Sequence, residues 1–298
     1  KNLEILKSSF LPRRCRNFGI TERCECSVHP GWCTQSVRSM ELFSEMSDNE
    51  VDVELERTLS QIRELREDWS FVVGSACVDA GSSKNFLGKG SGCEGVYGLT
   101  SPTTGCTYAV KRVLRSQAAA KSVEFQRELD IGSQVQHPGV CRLCTVVTDE
   151  SYHMLVFERC KHELFESVSR AGGLPEPRAC AYFGQIIDAL DYLHSLRIYH
   201  RDLKLENVLV TDDDKVKLND FDHSRQCSVN SQPGTRGKGT VAYMAPEMVS
   251  FGDTPYDGAA VDIWSCGVML YVMVCCNYPC AHLQSYPCQL RATRCHWP

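Results

Sequence analysis

No apolar run follows Lys1-Asn2-Leu3-Glu4, so the chain shows no secretory signal at its start. Its longest apolar stretch, Gly267 to Cys276, is too short to span a bilayer and reads as a buried helix, which argues against a membrane partner. Positive charge is not in excess either. Lys and Arg number 32 against 37 Asp and Glu, and a net charge of −5 gives no electrostatic case for nucleic acid as a partner. An initiator Met is missing, which fits a fragment of a longer product. Cysteine is the opposite case: 18 are present, scattered through a chain too long for a small disulfide scaffold. What remains is a chain of 298 residues, 43% hydrophobic, able to form one large domain or two lobes around a core.

Composition changes along the chain. Residues 1–38 carry seven Lys and Arg against three acids, and residues 41–68 hold ten acids and three arginines. We read 1–47 as a leader, basic and then acidic, without fixed structure. Within 48–70, Leu55, Leu59, Ile62 and Leu65 recur at helical spacing, with Asp48 placed to cap the start, so an acidic amphipathic helix is expected. Cys15, Cys24, Cys26, His29 and Cys33 invite a zinc reading, but Cys24 and Cys26 are one residue apart and no second close pair follows, so no metal is expected there.

The chemistry concentrates in His200-Arg201-Asp202-Leu203-Lys204-Leu205-Glu206-Asn207. Asp202 can accept a proton from an attacking hydroxyl. Lys204 can neutralise charge on a moving phosphoryl group, and Asn207 can hold Mg²⁺. Asp220-Phe221 supplies a second metal ligand, and Ala245-Pro246-Glu247 follows. Upstream, Gly88-Lys89-Gly90-Ser91-Gly92-Cys93-Glu94-Gly95-Val96-Tyr97 offers backbone N–H groups without side chains in the way. It precedes a strand pattern ending Tyr108-Ala109-Val110-Lys111. In this order and spacing the chain resembles the eukaryotic protein kinase family, Ser/Thr type, nearest to its calcium/calmodulin-dependent and AMP-activated-like group.

The resemblance implies an α+β, protein-kinase-like two-lobe fold over 80–276: a small β-rich N-lobe with one long helix over 80–160, and a mainly helical C-lobe over 161–276 that is incomplete. It implies ATP and Mg²⁺ as cofactors, with Asp202, Lys204, Lys111 and Glu128 as catalytic residues and Asn207 and Asp220 as metal ligands. Lys111 binds phosphate in that scheme and pairs with Glu128 on a helix spanning about Ala118 to Gln136, with Glu124 as the fallback partner. Leu87, Gly88, Gly90, Gly92 and Gly95 form the phosphate loop in two competing registers, most simply a one-residue insertion. Val96, Ala109 and Leu209 match positions around the adenine ring. Glu158 and Cys160 match the backbone contacts to its edge, and Glu163 matches the ribose contact.

Arg201 beside Asp202 marks a kinase controlled by phosphate on the following segment, which makes an upstream activating kinase an implied partner. Thr235 is the first choice of phosphosite, with Ser228 and Ser231 nearby. Thr240 is expected to bridge Asp202 and Lys204, which favours a protein substrate with a Ser or Thr acceptor. Glu163 and Glu206 match positions that favour arginine upstream of it. Reduced thiols in the cytoplasm, or the nucleus, follow from the same resemblance.

Three departures stand out. Gly132 replaces a bulky apolar residue, so a void beside Phe221 is expected. Asp222 replaces the glycine of Asp-Phe-Gly, where unusual backbone torsions are needed. Asp262-Ile263-Trp264-Ser265-Cys266-Gly267 matches the central helix, with Asp262 anchoring the catalytic loop, but the resemblance stops after Cys276. Residues 277–298 read as a non-family tail, Glu247 lacks its usual arginine, and an apolar helix face is expected to meet water. Cys280, His282, Cys288, Cys295 and His296 are more simply tail than metal site. A Mg-ATP-dependent Ser/Thr kinase is the leading reading, and a nucleotide-binding or scaffolding pseudokinase the alternative.

Overall fold

The structure is a computed structural model that describes residue 72 and residues 85–90, 93–102, 104–120, 122–228, 239–249 and 255–279. The expected leader, the acidic helix over 48–70, Gly92, Ser231, Thr235 and the cysteines and histidines from Cys280 onward lie outside the described residues. Two compact units are present, and the chain passes from one to the other between Lys161 and His162.

Among its described residues the first unit has a five-stranded antiparallel sheet with helices packed on it. Its elements are β1 (Phe86–Gly88), β2 (Gly95–Thr100), β3 (Thr107–Leu114), α1 (Arg115–Ala120), α2 (Ser122–Gln134), β4 (Leu143–Thr148) and β5 (Tyr152–Glu158). The strand order is β1-β2-β3-β5-β4. Alternation along β3 sends successive side chains to opposite faces. Val113 joins Leu155, Val146, Phe125 and Leu129 in a cluster under α2, with Val96 and Phe157 packed against it. Val110 joins Leu99, Met154 and Val156 on the other face, where Val72 closes the cluster at 1% exposure.

The long helix expected over 118–136 is described as α1 and α2 on either side of residue 121, which lies outside the described residues. α2 ends at Gln134, short of His137-Pro138, as proline requires. Within this unit Gly132 packs against β4. A Cβ at Gly132 would stand 3.0 Å from Leu143 Cδ2 and 3.3 Å from Leu143 Cβ. The missing side chain lets β4 approach the helix, and Leu143 occupies the room.

The second unit contains β6 (His162–Glu163), α3 (Leu164–Ala171), α4 (Glu176–Ser195), β7 (Ile198–Tyr199), β8 (Val208–Val210), β9 (Val216–Leu218), β10 (Arg225–Gln226), α5 (Pro246–Val249) and α6 (Gly258–Cys275). Two small sheets, β6-β8-β9 and β7-β10, flank the loop at 200–207. In α4 the buried stripe is Tyr182, Phe183, Ile186, Ile187, Leu190 and Leu193, while Ala181 is exposed. α6 is longer than the apolar run from Gly267 suggested, and by length and composition it passes as a membrane span. Half of it is buried inside the unit, however. Its start is capped by Asp257, whose carboxylate accepts from Ala259 N and Ala260 N. The expected apolar face is partly seen: Val274 is exposed, whereas Ile263, Leu270 and Tyr271 are half-buried.

Candidate active site

The catalytic-loop residues are positioned from α6. Arg201 adopts a left-handed backbone, φ 67°, which non-glycine residues resist at a cost of about 1–3 kcal/mol. The buried carboxylate of Asp262 offsets that cost by accepting Arg201 N at Oδ1 (2.8 Å) and His200 N at Oδ2 (2.9 Å). His194 Nε2 completes the seat at 2.9 Å from Oδ2. The Arg201 guanidinium is buried, and its Nε donates to Tyr256 Oη at 2.9 Å. The His200 ring donates through Nε2 to the Asn219 carbonyl and packs against Phe221.

Asp202 then stands at the centre of a network. Its Oδ2 lies 2.8 Å from Lys204 Nζ, and its Oδ1 accepts Thr240 N at 2.7 Å. Lys204 Nζ donates to Thr240 Oγ1 at 3.0 Å, so Thr240 joins both residues, using its backbone toward Asp202 and its hydroxyl toward Lys204. Asn207 Nδ2 donates to the Asp202 carbonyl at 2.9 Å. Burial pushes the Asp202 carboxyl up, but the hydrogen bonds and charge of Lys204, with Thr240, more than reverse this and hold it below the ordinary aspartate value. Burial likewise pulls Lys204 down, and its bond to Asp202 and the surrounding carboxylates outweigh that, so its ammonium is held above the usual value.

Sequence placed Gly239-Thr240 at the peptide-docking end of the segment but did not show the contact that Gly239 makes. Gly239, φ 130°, lies so close to the catalytic loop that a Cβ would fall 2.6 Å from Arg201 O and 3.0 Å from Asp202 Oδ1. Only glycine admits this approach. Its signal is faint, a Gly-Thr pair before a loop. Tyr256 was missed for a different reason: 55 residues separate it from its Arg201 partner.

Asp220 follows Asn219, whose N–H donates to the Asn207 carbonyl at 2.9 Å. Asp220 has a left-handed backbone, φ 64°, whereas Asp222, where unusual torsions were expected, is not forced into glycine's region. Carboxylate and carboxamide oxygens form a hard donor set that suits Mg²⁺. Among the described residues no three His, Cys, Asp or Glu side chains form a metal cage. Mg²⁺ needs none, since one or two carboxylates plus substrate phosphates and waters complete its shell. The residues present therefore fit the ion.

In the first unit, Lys111 Nζ lies 2.6 Å from Glu128 Oε1, with the two side chains 9% and 8% exposed. β1 ends at Gly88 and β2 begins at Gly95, so the link between them is 89–94, of which Lys89, Gly90, Cys93 and Glu94 are described. Gly95 sits in the sheet opposite Arg112, and Val96 opposite Lys111. Leu87 is exposed; Ala109 is half-buried. Glu158 closes β5, its N–H bonded to Arg142 O, and Cys160 beyond it is buried. Glu163 and Leu209 pair across β6 and β8 in the second unit. Partial desolvation, then the charges of Glu166 and Glu206, hold the Glu163 carboxyl above its ordinary value. Glu247, expected to be a carboxylate lacking its partner, is exposed on α5, so water solvates it.

Comparison with known proteins agrees with this chemistry. The model of the protein kinase domain family matches residues 82–295, continuing past Cys276 where the sequence pattern suggests an end. CBL-interacting protein kinase 11 of Oryza sativa subsp. japonica is 39% identical over 193 residues, 63% of this chain and 38% of that one. Serine/threonine-protein kinase SAPK2 of Oryza sativa subsp. indica is 39% identical over 194 residues, 64% and 56% of the two chains. Serine/threonine-protein kinase SRK2C of Arabidopsis thaliana is 41% identical over 175 residues, 58% and 50%. The matched region thus spans about half the length of these relatives. With 82–295 matched and the catalytic-loop network assembled around Asp202, the chain belongs to the protein kinase domain family.

Proposed function

We propose that this protein is a Mg-ATP-dependent protein serine/threonine kinase. The observation that carries the reading is the Asp202–Lys204–Thr240 network, which fixes a carboxylate and an ammonium side by side on a loop tied to the core. Mg-ATP supplies the phosphoryl group. Asp202 accepts the hydrogen bond of the acceptor hydroxyl, aligns it, and takes its proton as the new oxygen–phosphorus bond forms and ADP leaves. A carboxylate held below the ordinary aspartate value is a weak base, so its larger contribution is alignment. Lys204 stays charged and meets the negative charge on the transferred group. Asn207 and Asp220 would hold the metal, and Lys111, steadied by Glu128, would meet phosphate oxygens.

Glu163, Glu166 and Glu206 support a substrate with a basic residue upstream of the acceptor. Among the described residues Glu206 Oε2 is buried without a hydrogen-bond partner, a carboxylate oxygen that a guanidinium would satisfy. Ser228 is the one candidate phosphosite among the described residues, and an upstream activating kinase remains part of this proposal. The rival, a nucleotide-binding scaffold, draws on Gly132, Asp222 and the later helices that the sequence pattern lacks after Cys276. Asp222 keeps an ordinary backbone torsion, which weakens the second of these arguments and leaves the other two standing.

The test is transfer of labelled phosphate from Mg-ATP to a basic Ser peptide, with Asp202→Asn as control. Transfer that disappears in the control supports the kinase. Folded protein that binds Mg-ATP yet transfers nothing would establish the scaffold reading.

A further inference from the structure

The link 89–94 has to hold its backbone N–H groups in place for phosphate, and glycine makes that hard, since a glycine-containing link has many conformations to lose. Two adjacent residues at its end tie it down from different sides. Cys93 turns inward, 7% exposed, into the cluster with Val113, Phe125 and Leu129, and its thiol donates to Gly90 O at 3.4 Å. Glu94 goes the other way. Its N–H donates to Arg112 O at 2.9 Å, its Oε2 lies 3.3 Å from Arg112 Nη2, and its Oε1 accepts Tyr152 Oη at 3.4 Å.

The seat for Glu94 is itself rigid. Arg112 is 5% exposed, and its guanidinium carbon stands 4.1 Å from the centre of the Tyr152 ring and 5.5 Å from that of Tyr97. Stacked cations of this kind lose little freedom when they bind a carboxylate. Gly95, directly across from Arg112, leaves space that the rings of Phe86 and Tyr97 take, since a Cβ there would come within 3.0 Å of both. An exposed glutamate would normally be free to wander. This one is bound to two strands, β3 through Arg112 and β5 through Tyr152.

We propose that Glu94 is a positioning residue for nucleotide phosphate: seated on Arg112 and Tyr152, with Cys93 as inner anchor on Gly90, it fixes the backbone where the glycine-containing link enters β2 and so favours phosphate binding there. The proposal rests on the nucleotide reading above and adds a residue to it.

The experiment uses the full chain with Mg-ATP as probe. Binding is measured by calorimetric titration and KM for ATP and peptide by steady-state kinetics. Backbone exchange over 89–94 is followed without nucleotide. Glu94→Gln, which keeps shape and removes charge, should weaken Mg-ATP binding about two- to fivefold and leave peptide KM unchanged. It should also speed exchange over 89–94. Tyr152→Phe, which keeps the ring over Arg112, should shift both readouts in the same direction by less. A Gln variant with native ATP affinity and native exchange, in a protein that binds Mg-ATP, overturns the inference alone. Unmodified protein that binds no Mg-ATP overturns the nucleotide reading and the phosphate role together.

Discussion

Asp202 owes its charge to its neighbours more than to solvent. Because its folded value is depressed, the stabilisation from Lys204 and Thr240 is complete above the unfolded aspartate value and is lost as pH falls through the depressed one. Lys204→Met removes the first of those partners, so a carboxyl-carbon titration should find Asp202 moved upward, since burial then dominates. No movement would mean that Lys204 is not what holds it. Asp202→Asn keeps an oxygen for Thr240 N, so the fold should persist while turnover falls about 10²–10⁴-fold. Gly239→Ala tests geometry at the same spot. Its Cβ would meet the Arg201 carbonyl, backbone that cannot rotate aside, and φ 130° is itself strained for alanine. A loss of about 1–3 kcal/mol in thermal unfolding is expected, with turnover reduced more than ATP affinity. Asp202, Lys204 and Asn207 were readable from sequence because their spacing is local. Gly239 was not, because its role depends on the carbonyl of Arg201, far away along the chain.

At the scale of elements, the strand carrying Lys111 and the helix carrying Glu128 were readable from alternation and from the proline limit at Pro138. The early start of α1 at Arg115, three residues before the expected Ala118, was not, because Arg115-Ser116-Gln117 carries no clear helix-start signal. Gly132 shows why a local departure can mislead. Glycine in a helix forfeits up to about 1 kcal/mol relative to alanine, and sequence reasoning stops there. In the fold, β4 crosses at that point and Leu143 lies against the bare backbone. Gly132→Ala should therefore be nearly neutral in chemical denaturation, helix preference being offset by the 3.0 Å contact with a flexible methyl. Gly132→Leu, which restores the bulky residue usual in the family, should instead destabilise by about 1–3 kcal/mol through overpacking. A stabilised leucine variant would show that the expected void exists after all. α6 makes the complementary case. Its start at Gly258 follows from the Asp257 cap, and Asp257→Ala should lower unfolding stability by about 1 kcal/mol and loosen the Asp262 seat with it.

Over the whole molecule, charge is what the proposed basic-peptide preference rests on. A chain with a net charge of −5 gains by drawing in a cationic peptide, and the three glutamates near the catalytic loop give that attraction a place to end. Glu206 is the stricter of the group, since its buried Oε2 has nothing to bond among the described residues, whereas Glu163 is exposed and shares its field with Glu166. Glu206→Gln should raise KM for an Arg-containing peptide about five- to thirtyfold, while a peptide with alanine at that position, already poor, changes little. Glu163→Gln should cost less and lose its effect at high salt, because exposed charges are screened over about 10 Å at 0.1 M. The pH dependence has a definite sign. Glu163 ionises above the ordinary glutamate value, so affinity for the basic peptide should rise as pH climbs through that raised value, and Glu163→Gln should flatten the rise. If both variants handle the two peptides as the unmodified protein does, the basic preference is wrong, and the acidic cluster serves only the solubility of its own surface.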